Sequence, residues 1–147
     1  MSAAKIIPFL WFDGKAEEAA KFYVSIFKNS RIVFANPMTV SFQLEGQPFY
    51  ALNGGPKYKF TPAISLFVNC ETQAEVDDLW TRLSAGGRTD QCGWLQDKYG
   101  LSWQIIPTTL GKLLQDKDPK KAKRVMDAML QMTKIEIAGL QRAYDGS

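Results

Sequence analysis

Cys92-Gly93-Trp94-Leu95-Gln96-Asp97-Lys98-Tyr99-Gly100-Leu101-Ser102-Trp103-Gln104-Ile105-Ile106-Pro107 reads as two short strands joined by a turn. Asp97 can bond its own backbone and Gly100 can take conformations closed to other residues, so the pair marks the turn. Four residues after the glycine, a largely apolar strand carries one amide, Gln104. An amide gives and accepts hydrogen bonds but brings no charge, and that chemistry limits what the chain can do. Turn chemistry accounts for Asp97, so it is a weak candidate for catalysis although it is the best carboxylate near this strand.

Upstream of this stretch the same order of elements occurs twice. Lys5 to Phe12 is an apolar run suited to a strand covered on both faces, broken by Asp13-Gly14. A helix follows, with Glu17 and Glu18 in its first turn, where the dipole favours acid, and Ala16, Ala19, Ala20, Tyr23, Ile26 and Phe27 at helical spacing. Arg31 to Ala35 is a short strand. Thr39 to Glu45 alternates, with Val40, Phe42 and Leu44 on one face and Thr39, Ser41 and Gln43 on the other. A turn at Gly46-Gln47-Pro48 leads to a strand from Phe49 to Asn53, which Gly54-Gly55-Pro56 ends.

The second round opens with a strand at Ala63 to Asn69. Thr72 and Glu75 form a capping-box signature, and Val76, Leu79, Trp80 and Leu83 make one apolar stripe on the helix that follows. Strands from Arg88 to Cys92, Gly93 to Gln96 and Leu101 to Ile106 complete it. The repeat spacing is about 55 residues, with little identity between the halves. One domain over residues 1–147 is expected, with a first module at about 5–56, a second at about 61–107 and a helical tail at 108–147. In the tail, Asp118-Pro119 heads a helix with Ala122, Val125, Met126, Met129 and Met132 on its apolar side. A further helix spans Lys134 to Tyr144. The methionines read as core, and Lys117, Lys120, Lys121, Lys123 and Arg124 as a solvated helix face.

Composition removes several function classes. Eighteen Lys and Arg against fifteen Asp and Glu give a net charge of +3, too balanced to indicate nucleic acid or an anionic membrane. No apolar run is long enough to span a bilayer, and Met1 to Lys5 lacks the features of an export signal, so a cytoplasmic location is expected. Cys70 and Cys92 have neither disulfide-framework nor zinc-site spacing, and Cys92 has no basic partner apparent in sequence to activate it. The chain has no histidine, which excludes every mechanism that needs imidazole.

Several stretches together resemble the PhnB-like proteins, often labelled 3-demethylubiquinone-9 3-methyltransferase domain proteins, a branch of the vicinal-oxygen-chelate (glyoxalase and bleomycin-resistance) superfamily. They are Pro8 to Gly14, Ala16-Glu17-Glu18-Ala19, Phe22-Tyr23, Leu52 to Pro56, Cys92 to Leu95 and Trp103 to Pro107; the resemblance runs from about Ile6 to Tyr144. It implies an α+β glyoxalase-like fold: two βαβββ modules bending a mixed sheet into a cup, helices outside, a small-molecule ligand inside, and a homodimer. The methyltransferase label fits poorly, because the clustered glycines do not join a strand to a helix start.

Carried over by strand and spacing, the family's metal positions fall on Pro8, Asn53, Ser65 and Gln104. Proline has no ligating atom, and the other three are neutral oxygen donors, so no metal and no other cofactor is expected. Parity along the strands adds Leu10 and Phe12 beside Pro8, Phe49 and Ala51 beside Asn53, Phe67 and Asn69 beside Ser65, and Ser102 and Ile106 beside Gln104. Trp94 closes the mouth of the cup or the dimer seam. Trp11, Trp80 and Trp103 are assigned to packing between sheet and helices. The expected ligand-binding set is Pro8, Leu10, Phe12, Asn53, Ser65, Phe67, Trp94 and Gln104, with no catalytic residue identified. A metal-independent small-molecule-binding protein is the leading expectation. An enzyme of the superfamily with noncanonical metal ligands and a regulatory or scaffold homodimer stay open, as does a sealed core in which Asn53 and Gln104 bond backbone.

Overall fold

The computed structural model describes residues 4–146, in two compact units that divide between Phe60 and Thr61. Met1, Ser2, Ala3 and Ser147, at the ends of the expected single domain, lie outside the described residues.

The first unit runs β1 (Phe9–Phe12), α1 (Ala16–Ile26), β2 (Arg31–Ala35), β3 (Thr39–Leu44) and β4 (Gln47–Asn53). Its sheet has the order β1-β4-β3-β2, with β1 parallel to β4 and the other pairs antiparallel. β1 is shorter than the apolar run that contains it. Pairing with β4 starts at Phe9, opposite Tyr50, and Pro8, which has no N–H to offer, contributes only its carbonyl to Tyr50 N–H at 3.0 Å.

The turn between β3 and β4 sets the register of this sheet. Glu45 and Gly46 both take left-handed φ, 50° and 81°, and form a two-residue hairpin loop whose twist matches the strands. The turn thus falls one residue earlier than expected, and Gln47 and Pro48 belong to β4. Pro48 is tolerated because β1 does not reach that far along β4. Leu44 then faces Gln47, Phe42 faces Phe49 with rings stacked 5.4 Å apart, and Val40 faces Ala51. Helix α1 packs on this apolar face through Ala16, Ala19, Ala20, Tyr23 and Ile26, and the Tyr23 ring stacks on Phe42 at 6.3 Å.

The second unit repeats the plan as β5 (Ser65–Cys70), α2 (Gln73–Ser84), β6 (Arg88–Thr89), β7 (Trp94–Gln96) and β8 (Ser102–Pro107), with the sheet order β5-β8-β7-β6. Matching the registers shows a repeat that linear comparison obscures. Arg31 faces Gln43 as Arg88 faces Gln96, and Phe9 faces Tyr50 as Phe67 faces Gln104. Phe, Arg and Gln thus recur at three equivalent sites.

Thr72 Oγ1 accepts from Glu75 N–H at 3.1 Å, and the Glu75 carboxylate accepts from Glu71 N–H at 2.7 Å, so the expected capping pair starts α2. The helix buries Val76, Leu79, Trp80 and Leu83 over the sheet face that carries Cys70, Leu95, Trp103 and Ile105. β6 stops at Thr89, short of the expected Cys92. Cys92 and Gly93 have left-handed φ, and their N–H groups donate to Met132 and Thr133 carbonyls rather than to a strand.

The tail forms α3 (Thr108–Leu114), α4 (Pro119–Leu130) and α5 (Ile137–Asp145). Asp118 caps α4 by accepting from Lys120 N–H, as expected; α3 was not expected, because its Thr-Thr-Leu-Gly start has poor helix propensity. Leu110, Val125, Ile135 and Leu140 form one core with Ile106 of β8, and Met129, Met132 and Tyr144 pack against it. Met126 is exposed. Arg124, read as part of a solvated face, donates to the Ala143 and Tyr144 carbonyls and satisfies the end of α5.

Candidate functional site: the far face of the second sheet

Each sheet has one face under its helix and one face turned away from it. In the second unit, register places Ser65, Phe67, Trp94 and Gln104 together on the face away from α2. They lie in two neighbouring rows across the strands. One row is Phe67, Gln104 and Trp94; the next is Ser65, Ser102, Gln96 and Arg88. Gln104 Nε2 donates to Ser65 Oγ at 3.0 Å, joining the rows. Phe67 is 53% exposed, whereas Ser102 is 1% exposed and its hydroxyl has no hydrogen-bond partner. The third row contains Asn69 and Ile106, and there the tail core begins. A Cβ on Gly93 would meet Ile106 Cδ1 at 2.7 Å, so glycine is needed where the tail closes on this row.

The first unit separates the other expected site residues from such a face. Leu10 pairs with Ala51 and Phe12 with Asn53, on the side that receives α1; both side chains are buried there. Asn53 Oδ1 accepts from Ala16 N–H at 2.8 Å and its Nδ2 donates to Pro37 O at 3.0 Å. Lys15, at the N-cap, makes no side-chain cap bond, so Asn53 caps α1 from the end of β4. Pro8 lies before β1 and acts through its carbonyl. These four therefore do not line the far face of the first sheet.

That face carries the opposite parity: Phe9, Trp11, Tyr50 and Leu52, with Ser41 and Phe34 continuing the row from Phe9 and Tyr50. A shallow cavity of about 250 Å³ is lined by Phe9, Phe34, Thr39, Val40, Ser41 and Tyr50. Trp11, expected between sheet and helix, instead stands on the far face, with its indole N–H on Gly55 O at 2.9 Å and its ring edge-on to Tyr58. Trp80 and Trp103 do pack on the helix side. The parity error runs through β1 and β4 alike: Phe49 and Ala51, expected in the cup beside Asn53, face α1 with Leu10 and Phe12, and the run of β1, apolar on both faces, gives no sign of it. The clean alternation of β3 and the Glu45-Gly46 loop held the missing information, because they place Phe49 and Ala51 with Val40 and Phe42.

Asp97 is 2% exposed and fully engaged: Oδ1 accepts from Tyr99 and Leu101 N–H, and Oδ2 from Trp103 Nε1 at 2.9 Å. It locks the turn on the helix side. Burial, helped by Glu75 and Glu71, pushes the Cys70 thiol up to about 12, so it stays protonated. Ser65 supplies a hydroxyl oxygen that already accepts from Gln104 Nε2, Gln104 supplies a neutral amide oxygen, and no three His, Cys, Asp or Glu side chains gather as a metal-ligand set among the described residues. This donor set does not fit a divalent transition metal.

Comparison with known proteins adds the family. A protein-family profile described as 3-demethylubiquinone-9 3-methyltransferase matches residues 4–106, stopping before the tail, so the expected resemblance as far as Tyr144 was too long. The PhnB protein from Bacillus cereus is 38% identical, with a TM-score of 0.66, over 71% of this chain and 99% of that one. A Pseudomonas aeruginosa protein is 18% identical with a TM-score of 0.59, over 71% and 98% of the two chains. The fosfomycin resistance protein FosX from Listeria monocytogenes, solved with Mn(II) and sulfate, is 16% identical with a TM-score of 0.53, over 70% and 88%. No curated protein matches at a significant level. With its duplicated α+β plan and a profile match over most of its length, the chain belongs to the PhnB-like 3-demethylubiquinone-9 3-methyltransferase family, of glyoxalase-like fold.

Proposed function

We propose that this protein binds a small, uncharged, largely apolar molecule on the far face of its second sheet, without a transition metal at the family's position. The observation that carries the reading is the Gln104 amide donating to Ser65 at 3.0 Å between Phe67 and Trp94. A neutral hydrogen-bonded pair between aromatic side chains suits an apolar ligand held by few polar contacts. The methyl transfer in the family's description is left out of the reading. Each sheet has a single parallel pair, and Gly54-Gly55 and Gly86-Gly87 follow a strand and a helix respectively, not the strand-to-helix turn that cradles a nucleotide.

Thermal-shift screening of the full chain against neutral aromatic compounds tests the proposal. Stabilising compounds are expected, and Gln104→Leu should weaken their effect; no shift from any compound, or shifts untouched by the substitution, would overturn it. A homodimer is the second part of the reading, supported by Phe9 and Phe34, 58% and 57% exposed, in one row of the first sheet's far face. Light scattering should give twice the chain mass, and Phe34→Glu should lower it.

A further inference from the structure

The far face of the first sheet carries a ring and a hole side by side, and a slip in strand register puts the ring there. Between β2 and β3, Ile32 faces Phe42 and Phe34 faces Ser41, which leaves Val33 as the extra residue of a bulge. In an unbroken ladder Val33 would face Ser41, and Phe34 would face Val40 on the side that α1 covers. The bulge instead turns Phe34 to the far face, where it stands 57% exposed on the edge strand of the sheet. A ring that could have joined the α1 core is thus held in solvent, and covering it would recover the apolar contact.

The hole adjoins it in the same row. From β1 to β2 that row is Phe9, Tyr50, Ser41 and Phe34, so its one small side chain lies between rings. Phe9 stands edge-on to Tyr50 at 5.9 Å and lines the far side of the hole. The cavity of about 250 Å³ there exceeds the roughly 150 Å³ that holds benzene in an apolar protein cavity, so a phenyl side chain fits. No residue of the row is charged. We infer that the occupant is the Phe34 ring of a second copy of this chain, each copy's ring entering the other's hole about a two-fold axis. A two-fold interface needs a patch that complements itself, and a knob beside a hole that accepts it is such a patch. The bulge also disrupts the exposed edge of β2, which favours this closed side-chain contact over edge-to-edge strand pairing. The inference rests on the homodimer reading above and adds the contact that forms the dimer.

The test uses the full chain and two variants: Phe34→Ala, which removes the knob, and Ser41→Phe, which fills the hole. Light scattering over a dilution series should show each variant dissociating at a concentration about tenfold higher than the unsubstituted chain, or more, as for loss of a buried aromatic anchor. Mixed, the two variants should form a heterodimer, counted by native mass spectrometry. In it the filled hole of one chain meets the missing knob of the other, while the remaining Phe34 and Ser41 fit as before. Both positions face away from α1, and unchanged far-UV circular dichroism checks that the variants fold. Variants that dimerise as tightly as the unsubstituted chain, or a mixture without heterodimer, would overturn the Phe34 contact and leave the dimer reading standing. A single-chain mass for the unsubstituted protein at every concentration overturns both, and shifts of its Tyr50 NMR signals on adding phenol would then give the hole to a small aromatic molecule.

Discussion

Asn53 is the residue whose role changed most between sequence and structure. Strand parity puts it in the ligand-binding set, yet its amide joins the start of α1 to the carbonyl of Pro37. Asn53→Ala should therefore cost about 1–2 kcal/mol, the value of a lost helix cap, read as a lower urea midpoint, with ligand binding on the second sheet unchanged. Cys70 gives a second outcome at this level. With its thiol held at about 12, it should stay unmodified by iodoacetamide at pH 8 in the folded protein and react once the chain is unfolded. Gln104 and Ser65 could be placed from sequence because β5 and β8 follow clear breaks and keep their parity. Ser102 stood beside them in the parity reading, but its lack of a partner depends on burial, which no linear pattern records.

The helical tail is held by polar groups at the head of α2 as well as by its apolar core. Gln73 Oε1 accepts from Ile137 N–H at 2.7 Å and its Nε2 donates to Ile135 O at 3.0 Å, while Lys134 pairs with Asp77 at 2.8 Å. Gln73→Ala should loosen the segment after β8, seen as faster tryptic cleavage between Lys112 and Lys134, with the two modules still folded. The hydrogen bond from Lys134 holds Asp77 below its usual range, and Asp77 in turn raises Lys134. Asp116 is lowered, first by the backbone N–H of Asp118 and then by Tyr144, and Tyr144 is raised by Asp116. A depressed carboxylate contributes stability above its ordinary value of 3.8, lost as pH falls through its folded value. The raised lysine and tyrosine contribute below 10.5 and 10.0 respectively, lost as pH climbs through their folded values. Protection of the Ile137 amide, corrected for the intrinsic pH dependence of exchange, should accordingly be greatest between these limits and fall on both sides. Added salt should flatten the profile, because both pairs are near the surface.

At the level of the architecture, the duplicated plan was readable because each half carries its own breakers, from Asp13-Gly14 to Gly54-Gly55 and from Thr72 to Gly86-Gly87. Alternation fixed β3, and capping residues fixed α2 and α4. The choice of face in β1 was not readable from a run apolar on both sides; it follows from pairing with β4, which the hairpin loop determines. The tail's relation to the family was equally hidden, since the profile ends at residue 106 while the chain's own core continues through Ile135 and Leu140. What unites the two sheets is a repeated framework of Phe, Arg and Gln, on which the second sheet bears a neutral pair at Ser65 and Gln104.

Metal content tests that neutrality most directly. Purified protein and its Gln104→Leu variant would be equilibrated with Mn(II), Ni(II) and Zn(II), dialysed, and analysed for each element. The neutral donor set predicts metal well below one ion per chain in both proteins. One tightly held ion per chain in the unsubstituted protein, lost in Gln104→Leu, would show that the amide is a ligand and that the metal-free reading is wrong.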